Sequence, residues 1–388
     1  RAGINAVLPY WGMTTGSLPD YLATQGYETY AASVGPLSSA WDRACELYAQ
    51  LVGARTDYGV KHAQDFGHER YGIDYETPLF EGWGTQRAVN LVGHSFGGAT
   101  TRLFLEILTN GCPEEVAAAK AAGVAPSPFF LGGKGSWVHS LTAIAAPHNG
   151  TTFIEANSDF TKLAANLATG AAKALGLSSL KGVYQFGIRK DDNETFAQAL
   201  DRVLRSDFLS HNDNAFLDLT IDKSLEINKG IEIQPNVYYF SYAGDQTSTD
   251  PLTGNHYPTV SAIPSNGMSA LMMPGSINMG KYCDKYTAGG IYIDRSWLPN
   301  DGLVNTVSAL YPTTTDKNTT ECRKRDGTQG WINYDGYSDI TFQPGIWYVM
   351  PVTRADHMQF VGGIANKSVI ETHLFYRNLM DDIYGTYG

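Results

Sequence analysis

No apolar run in this chain approaches the roughly 18 residues that a membrane-spanning helix needs. Positive charge is scarce: 28 Lys and Arg stand against 39 Asp and Glu, a formal balance of −11. That balance excludes nucleic-acid binding and a polybasic membrane anchor as organising functions. The four cysteines, Cys45, Cys112, Cys283 and Cys322, form no CxxC pair, so cysteine-rich zinc modules are excluded. Cys45 and Cys112 fall in helical patterns and read as buried thiols, whereas Cys283 and Cys322 flank a polar, loop-rich region and are placed to be bridged. Repeats and heptads are absent. There is neither an initiator Met nor a signal peptide, so the chain is expected to be a processed or cut form.

What is present is enough apolar material for a large core, 43% hydrophobic and 12% aromatic residues. At 388 residues the chain exceeds an average domain, but one α/β domain with insertions reaches this length. The 23 tyrosines, the few Lys and Arg, and the loops rich in Asn, Thr and Gly suit a secreted protein, and a monomer is expected.

One stretch organises the rest. Ala88 to Gly93 is a short apolar run that reads as a buried strand. Ala99 to Asn110 carries Leu103, Phe104, Ile107 and Leu108 at helical spacing and ends at Gly111. Between them lies Gly93-His94-Ser95-Phe96-Gly97, a G-x-S-x-G between strand and helix, the signature of a nucleophile elbow. Such a turn drives Ser95 into a cleft and brings its flanks close to neighbouring backbone. Gly93 and Gly97 are therefore expected to be the positions that must lack a Cβ. The helix N-terminus behind Ser95 favours negative charge, and the Phe96 N–H is the candidate oxyanion donor.

Other segments punctuate the chain. Residues 18–27 read as a short helix and Thr29 to Val34 as a strand. Ser38-Ser39 cap a helix that runs through Trp41 and Leu51 to Gly53. Residues 54–87 have few apolar runs and look like an excursion held by something other than a core. A helix follows from Pro113, then a strand from Trp137 to Ala146. The Ala/Leu-rich run 159–180 and a second helix near Asn193 suggest a helical lid. Val237 to Ala243 and Ile346 to Val352 are further strands, and Ser368 to Ile383 is the last helix. Alternating strands and helices predict an α/β fold with a mostly parallel sheet.

A serine nucleophile needs a base, and the base an orienting acid. Six histidines follow Ser95. His357, in a loop after the last strand, fits the Ser–acid–His chain order best. His148 leaves no room for an acid between it and Ser95, and His373 sits on a helical face. Asp301, in Asn300-Asp301-Gly302-Leu303-Val304-Asn305, and Asp245 compete as the acid. Asp356 adjoins His357, where adjacent side chains usually diverge.

These residues, with Tyr10-Trp11-Gly12, VGPLSSAWDRACELYAQLVG (34–53), DYGVKHAQDFGHERYG (57–72), APHNGTT (146–152) and NDGLVNTVS (300–308), give a specific resemblance. The chain resembles the zinc-containing thermoalkalophilic and staphylococcal bacterial lipases, α/β hydrolases, over nearly its whole length. The resemblance implies Ser95 as nucleophile, His357 as base and Asp301, rather than Asp245, as acid. It also implies a zinc site at Asp42, His62, His68 and Asp218. Zinc takes four such ligands in closed structural sites. Six residues separate His62 from His68, which puts them on different faces of a straight helix. Gly67 would end that helix and let His68 turn back. Zinc would then staple the 54–87 excursion.

Two departures are visible. The family's His-Gly-Phe segment, which carries the second oxyanion donor, has no counterpart before Tyr10. Gln359 and Ile364 stand where the family has calcium-binding carboxylates, so that calcium site is expected to be absent. The expected architecture is one domain, 1–388, with a zinc-binding excursion at 41–87 and a lid region at 151–230. The expected function is a Ser-His-Asp ester hydrolase working through an acyl-enzyme on acylglycerols and other apolar esters at a lipid–water interface, polyesters included. A peptidase or amidase with the same triad, or a non-catalytic hydrolase-like binding protein, is the alternative.

Overall fold

Strands of the core alternate with helices along the chain, and each strand returns parallel to the last. In the computed structural model, which describes residues 10–157, 198, 202, 212–313, 330–336, 340–363 and 368–387, the central strands are β1 (Val89–His94), β2 (Val138–Ile144), β3 (Tyr238–Tyr242), β4 (Trp331–Asn333) and β5 (Trp347–Val349). They form a five-stranded sheet in the order β4-β5-β3-β2-β1. Every pairing in it is parallel. Parallel strands are covered on both faces, so neighbouring residues of one strand enter different cores. Tyr239 and Trp347 join Leu91, Phe104 and Leu141 on one face. Phe240 and Tyr348 join Leu18, Ile144 and Ile383 on the other.

Three helices frame the sheet: α1 (Ala40–Val52), α2 (Phe96–Asn110) and α3 (Val369–Tyr384). Their ends follow from local chemistry. Ser39 caps α1 through the Asp42 N–H, and Gly53 closes it in the left-handed conformation. Ser368 and Glu371 form a reciprocal capping box at the start of α3.

Several expectations need correction. Thr29 to Val34 is not a strand. Its backbone pairs instead with a side chain: the Ser33 N–H donates to Gln50 Oε1 at 2.9 Å, and Gln50 Nε2 donates to the Ser33 carbonyl. The 54–87 excursion is not without a core, because Tyr58 and Phe80 are buried in the larger cluster. Cys283 carries a free thiol rather than a bridge. Cys322 and the 159–180 run expected to be a lid lie outside the described residues.

The elbow glycines are also reassigned. A Cβ on Gly93 would stand 2.5 Å from the Gly97 carbonyl oxygen, and one on Gly98 would stand 2.4 Å from Ala146 Cβ. A Cβ on Gly97 meets nothing within 4 Å. The second close approach is therefore at Gly98, which α2 turns toward β2. Gly93→Ala and Gly98→Ala should each destabilise the protein by about 1–3 kcal/mol through overpacking. Gly97→Ala, on an open helical face, should stay within about 1 kcal/mol of the parent. Chemical denaturation of the three variants checks this; equal losses at Gly97 and Gly98 would contradict the assignment.

Candidate active site and metal centre

Ser95 joins β1 to α2 with φ +56° and ψ −134°, a region that non-glycine residues adopt only when their surroundings impose it. The Ser95 N–H donates to the Ile144 carbonyl at 2.9 Å, which carries the β1–β2 ladder one residue past the strand. Phe96 opens α2, so its N–H is among those with no carbonyl partner inside the helix. The Phe96 side chain is buried, with the Arg43 guanidinium carbon 4.7 Å from its ring centroid.

The structure brings His357 and Asp301 together. His357 Nδ1 lies 2.8 Å from Asp301 Oδ2, and both side chains are almost fully buried. The other Asp301 oxygen accepts from the N–H groups of Leu303 and Val304, at 3.0 and 2.7 Å. The His357 N–H donates to the Asp301 carbonyl at 2.9 Å. With Nδ1 donating to the carboxylate, Nε2 keeps the lone pair, the form a general base needs. The ring centroid of His94, next to Ser95, is 4.7 Å from that of His357. Asp245 turns elsewhere, accepting from the Thr247 N–H and hydroxyl. Asp356 accepts from Ser269 N–H and from Met358 and Gln359 N–H. His148 is buried against Trp347, and His373 stacks on Tyr21.

A second polar cluster lies between α1 and the excursion. Helix Val60–Phe66 ends at Gly67, φ +71°. The chain then doubles back, and the His62 and His68 ring centroids come within 5.2 Å of each other. Glu115 supports the turn by accepting from the Lys61 and His62 N–H groups. Asp42, His62, His68 and Asp213 each offer a ligand atom, all within 4.8 Å of one another. The fourth member is thus Asp213, not Asp218. Asp218 Oδ2 instead accepts from the Ala40 N–H at 2.7 Å, at the start of α1. Sequence reasoning missed Asp213 although it sits five positions earlier in the same run.

The donor set fits a divalent metal. Among the described residues the buried Asp42 carboxylate has His62 Nε2, 3.2 Å from Oδ1, as its polar neighbour, and Oδ2 has no hydrogen-bond partner, a costly state unless a cation also faces it. Burial pushes Asp42 up to about 6. Burial also opposes charge on His62, but hydrogen bonds to Asp213 and Asp42 outweigh it and raise His62 to about 9. Burial works against ionised Asp213 too, yet the two histidines hold it well below the usual carboxylate range. Two carboxylates and two imidazoles so arranged match closed tetrahedral ligation. At the other family position, Gln359 is already engaged. Its Oε1 accepts from the Asp356 N–H at 2.9 Å, and its Nε2 donates to the Gly267 carbonyl at 3.2 Å. Ile364 lies outside the described residues.

A parallel α/β sheet with a strained serine at a strand-to-helix turn, and a buried His–Asp pair in the loops beyond it, defines the class of protein. The family profile "Lipase-like, C-terminal domain" matches residues 3–386, and the chain belongs to that family. It is 34% identical to Lipase 2 of Staphylococcus aureus over 357 residues, covering 91% of this chain and 47% of the relative. The chain thus spans about half the length of the curated relatives it matches. Among solved structures it is similar to EstA from Clostridium botulinum, with TM-score 0.77, 32% identity, and 97% of this chain and 82% of that one covered. It is likewise similar to Staphylococcus hyicus lipase, with TM-score 0.76, 31% identity and coverage of 99% and 91%.

The metal assignment predicts that Asp213→Asn abolishes stoichiometric metal on elemental analysis, while Asp218→Asn retains it. A strong zinc chelator should lower the melting temperature of the parent and leave that of Asp213→Asn unchanged. A calcium-selective chelator should leave the parent unchanged. Metal retained in Asp213→Asn and lost in Asp218→Asn would reverse the assignment.

Proposed function

We propose that this chain is a secreted carboxylic-ester hydrolase of the α/β-hydrolase fold, acting on acylglycerols and other apolar esters, polymeric ones included, at a lipid–water interface. We read it as one domain with a metal-binding excursion at 41–87 and a lid region at 151–230, active as a monomer. The observation that carries the reading is the buried 2.8 Å contact between His357 Nδ1 and Asp301 Oδ2, set in the loops beyond a serine held at φ +56°. The names of the relatives support an ester of a lipid as the substrate class. Among the described residues no helix is long and apolar enough to cross a membrane.

In this mechanism Ser95 Oγ attacks the ester carbonyl while His357 Nε2 takes its proton. Asp301 holds the His357 ring by Nδ1 and stabilises the imidazolium that forms. Charge developing on the carbonyl oxygen is met by the Phe96 N–H and the positive end of α2. The alcohol leaves with the proton from His357, and the acyl group remains on Ser95. Water, deprotonated by His357, then releases the acid. Asp42, His62, His68 and Asp213 would hold zinc, which when bound supplies a structural crosslink and takes no part in the chemistry. The alternatives are an amidase with the same triad and a non-catalytic binding protein.

Ser95→Ala and His357→Ala should each lower ester turnover by several powers of ten with the fold intact, because the two act as a unit. Asp301→Asn should also cripple turnover, and Asp245→Asn should not. The assay is steady-state hydrolysis of p-nitrophenyl acyl esters across a chain-length series, beside the matching anilides. Faster cleavage of anilides would favour the amidase, and an inert parent would favour the binding protein. Loss at Asp245 with none at Asp301 would overturn the acid assignment.

A further inference from the structure

His94, the residue before Ser95, is 4% exposed, and both of its ring nitrogens are engaged. Nε2 lies 2.9 Å from the His357 carbonyl oxygen. A carbonyl only accepts, so Nε2 must carry the hydrogen. In a neutral ring Nδ1 is then the acceptor, and the Tyr10 hydroxyl, 2.6 Å away, must donate to it. The ring is neutral because burial, reinforced by the adjacent His357, holds its pKa well below the ordinary value. The Tyr10 side chain is 39% exposed, but a phenol titrates far above neutral, so with its hydroxyl 2.6 Å from His94 Nδ1 it keeps its proton. The segment that carries Tyr10 is tied to the chain just beyond His357. Gly12 N–H donates to the Val361 carbonyl and Thr14 N–H to the Gly362 carbonyl, both at 2.8 Å.

We propose that Tyr10 and His94 form a positioning relay: the Tyr10 hydroxyl fixes the Nε2–H form of His94, and His94 clamps the main chain of His357. Their clamp completes the hold on the base. The His357 N–H is bound to the Asp301 carbonyl, Nδ1 to the Asp301 carboxylate, and the carbonyl to His94. Only Nε2 is left for proton transfer. Without the Tyr10 proton, His94 can adopt the other tautomer. Its Nε2 lone pair would then face the His357 carbonyl, and repulsion would displace the loop. Small displacements of a base lower kcat more than binding. The inference rests on reading His357 as the base of an ester hydrolase.

The test is Tyr10→Phe, which removes one hydroxyl. On a soluble p-nitrophenyl ester kcat should fall about threefold to tenfold, the size of one lost hydrogen bond, with KM within about twofold and the melting temperature lowered by no more than about 4 °C. Long-range 1H–15N spectra should show His94 as the pure Nε2–H form in the parent and as mixed tautomers in Tyr10→Phe. In a His94→Gln background the amide donates to the His357 carbonyl without help from Tyr10. There, Tyr10→Phe should have no further effect. Stoichiometric labelling of Ser95 by an alkyl phosphonate separates the two readings. If Ser95 labels normally and Tyr10→Phe keeps the parent's kcat, or costs as much in the His94→Gln background, the relay is wrong and the triad stands. If Ser95 does not label in the parent, the hydrolase reading fails and the relay with it.

Discussion

Everything at the candidate site depends on how closely α2 can approach the sheet. A helix separated from a strand by a single residue must cross its neighbours at contact distance, and here the limits are Gly93 against Gly97 and Gly98 against Ala146. That approach holds Ser95 at positive φ, ties its N–H to Ile144 on β2, and aims the first turn of α2 at the space above the sheet. Larger side chains at either glycine would widen the gap and let the serine relax to an ordinary conformation. The His357 loop reaches the same place from β5, and the Asp301 turn meets it there. The site is thus assembled from segments more than 200 positions apart by one parallel sheet that presents their ends together.

The Asp–His cluster answers a different problem. The 54–87 excursion does contribute to the core through Tyr58, which is bonded to Glu46 at 3.1 Å and whose carbonyl accepts from Trp41 Nε1. Its two histidines, however, converge on two buried carboxylates from distant parts of the chain. Without a cation, Asp42 would bury a carboxylate offset by His62 alone, with Oδ2 left unpartnered among the described residues. Such a cost is sustained only where something else offsets it. A metal crosslink between α1, the excursion and the segment at Asp213 would offer that compensation.

Much of this was legible in the residues, and what was not has physical reasons. The strand and helix around Ser95 show as a change of apolar period, and the caps at Ser39, Gly53 and Ser368 show as residue types. Gly67 told that His68 turns back to His62, because a left-handed glycine ends a helix. Asp213 went unnamed beside Asp218, since the two share one run and spacing alone does not tell which carboxylate faces the histidines. The Gly97 assignment failed because the contact face in a helix's first turn is set by where the helix begins, here at Phe96. Thr29 to Val34 has strand composition, but the Gln50 amide satisfies Ser33 first. Tyr10 shows in the sequence only within the Tyr10-Trp11-Gly12 match, with nothing to mark its role; its partner is 84 positions away.

The account's central claim is that Ser95 becomes acylated and His357 drives both the attack and the release. The most direct measurement is to quench the protein during turnover of a p-nitrophenyl ester and read its mass. The account predicts a population heavier by one acyl group, placed on Ser95 by peptide sequencing, that forms far more slowly in His357→Gln and is absent in Ser95→Ala. An acyl group on another residue of the parent, or turnover that continues in Ser95→Ala, would contradict it.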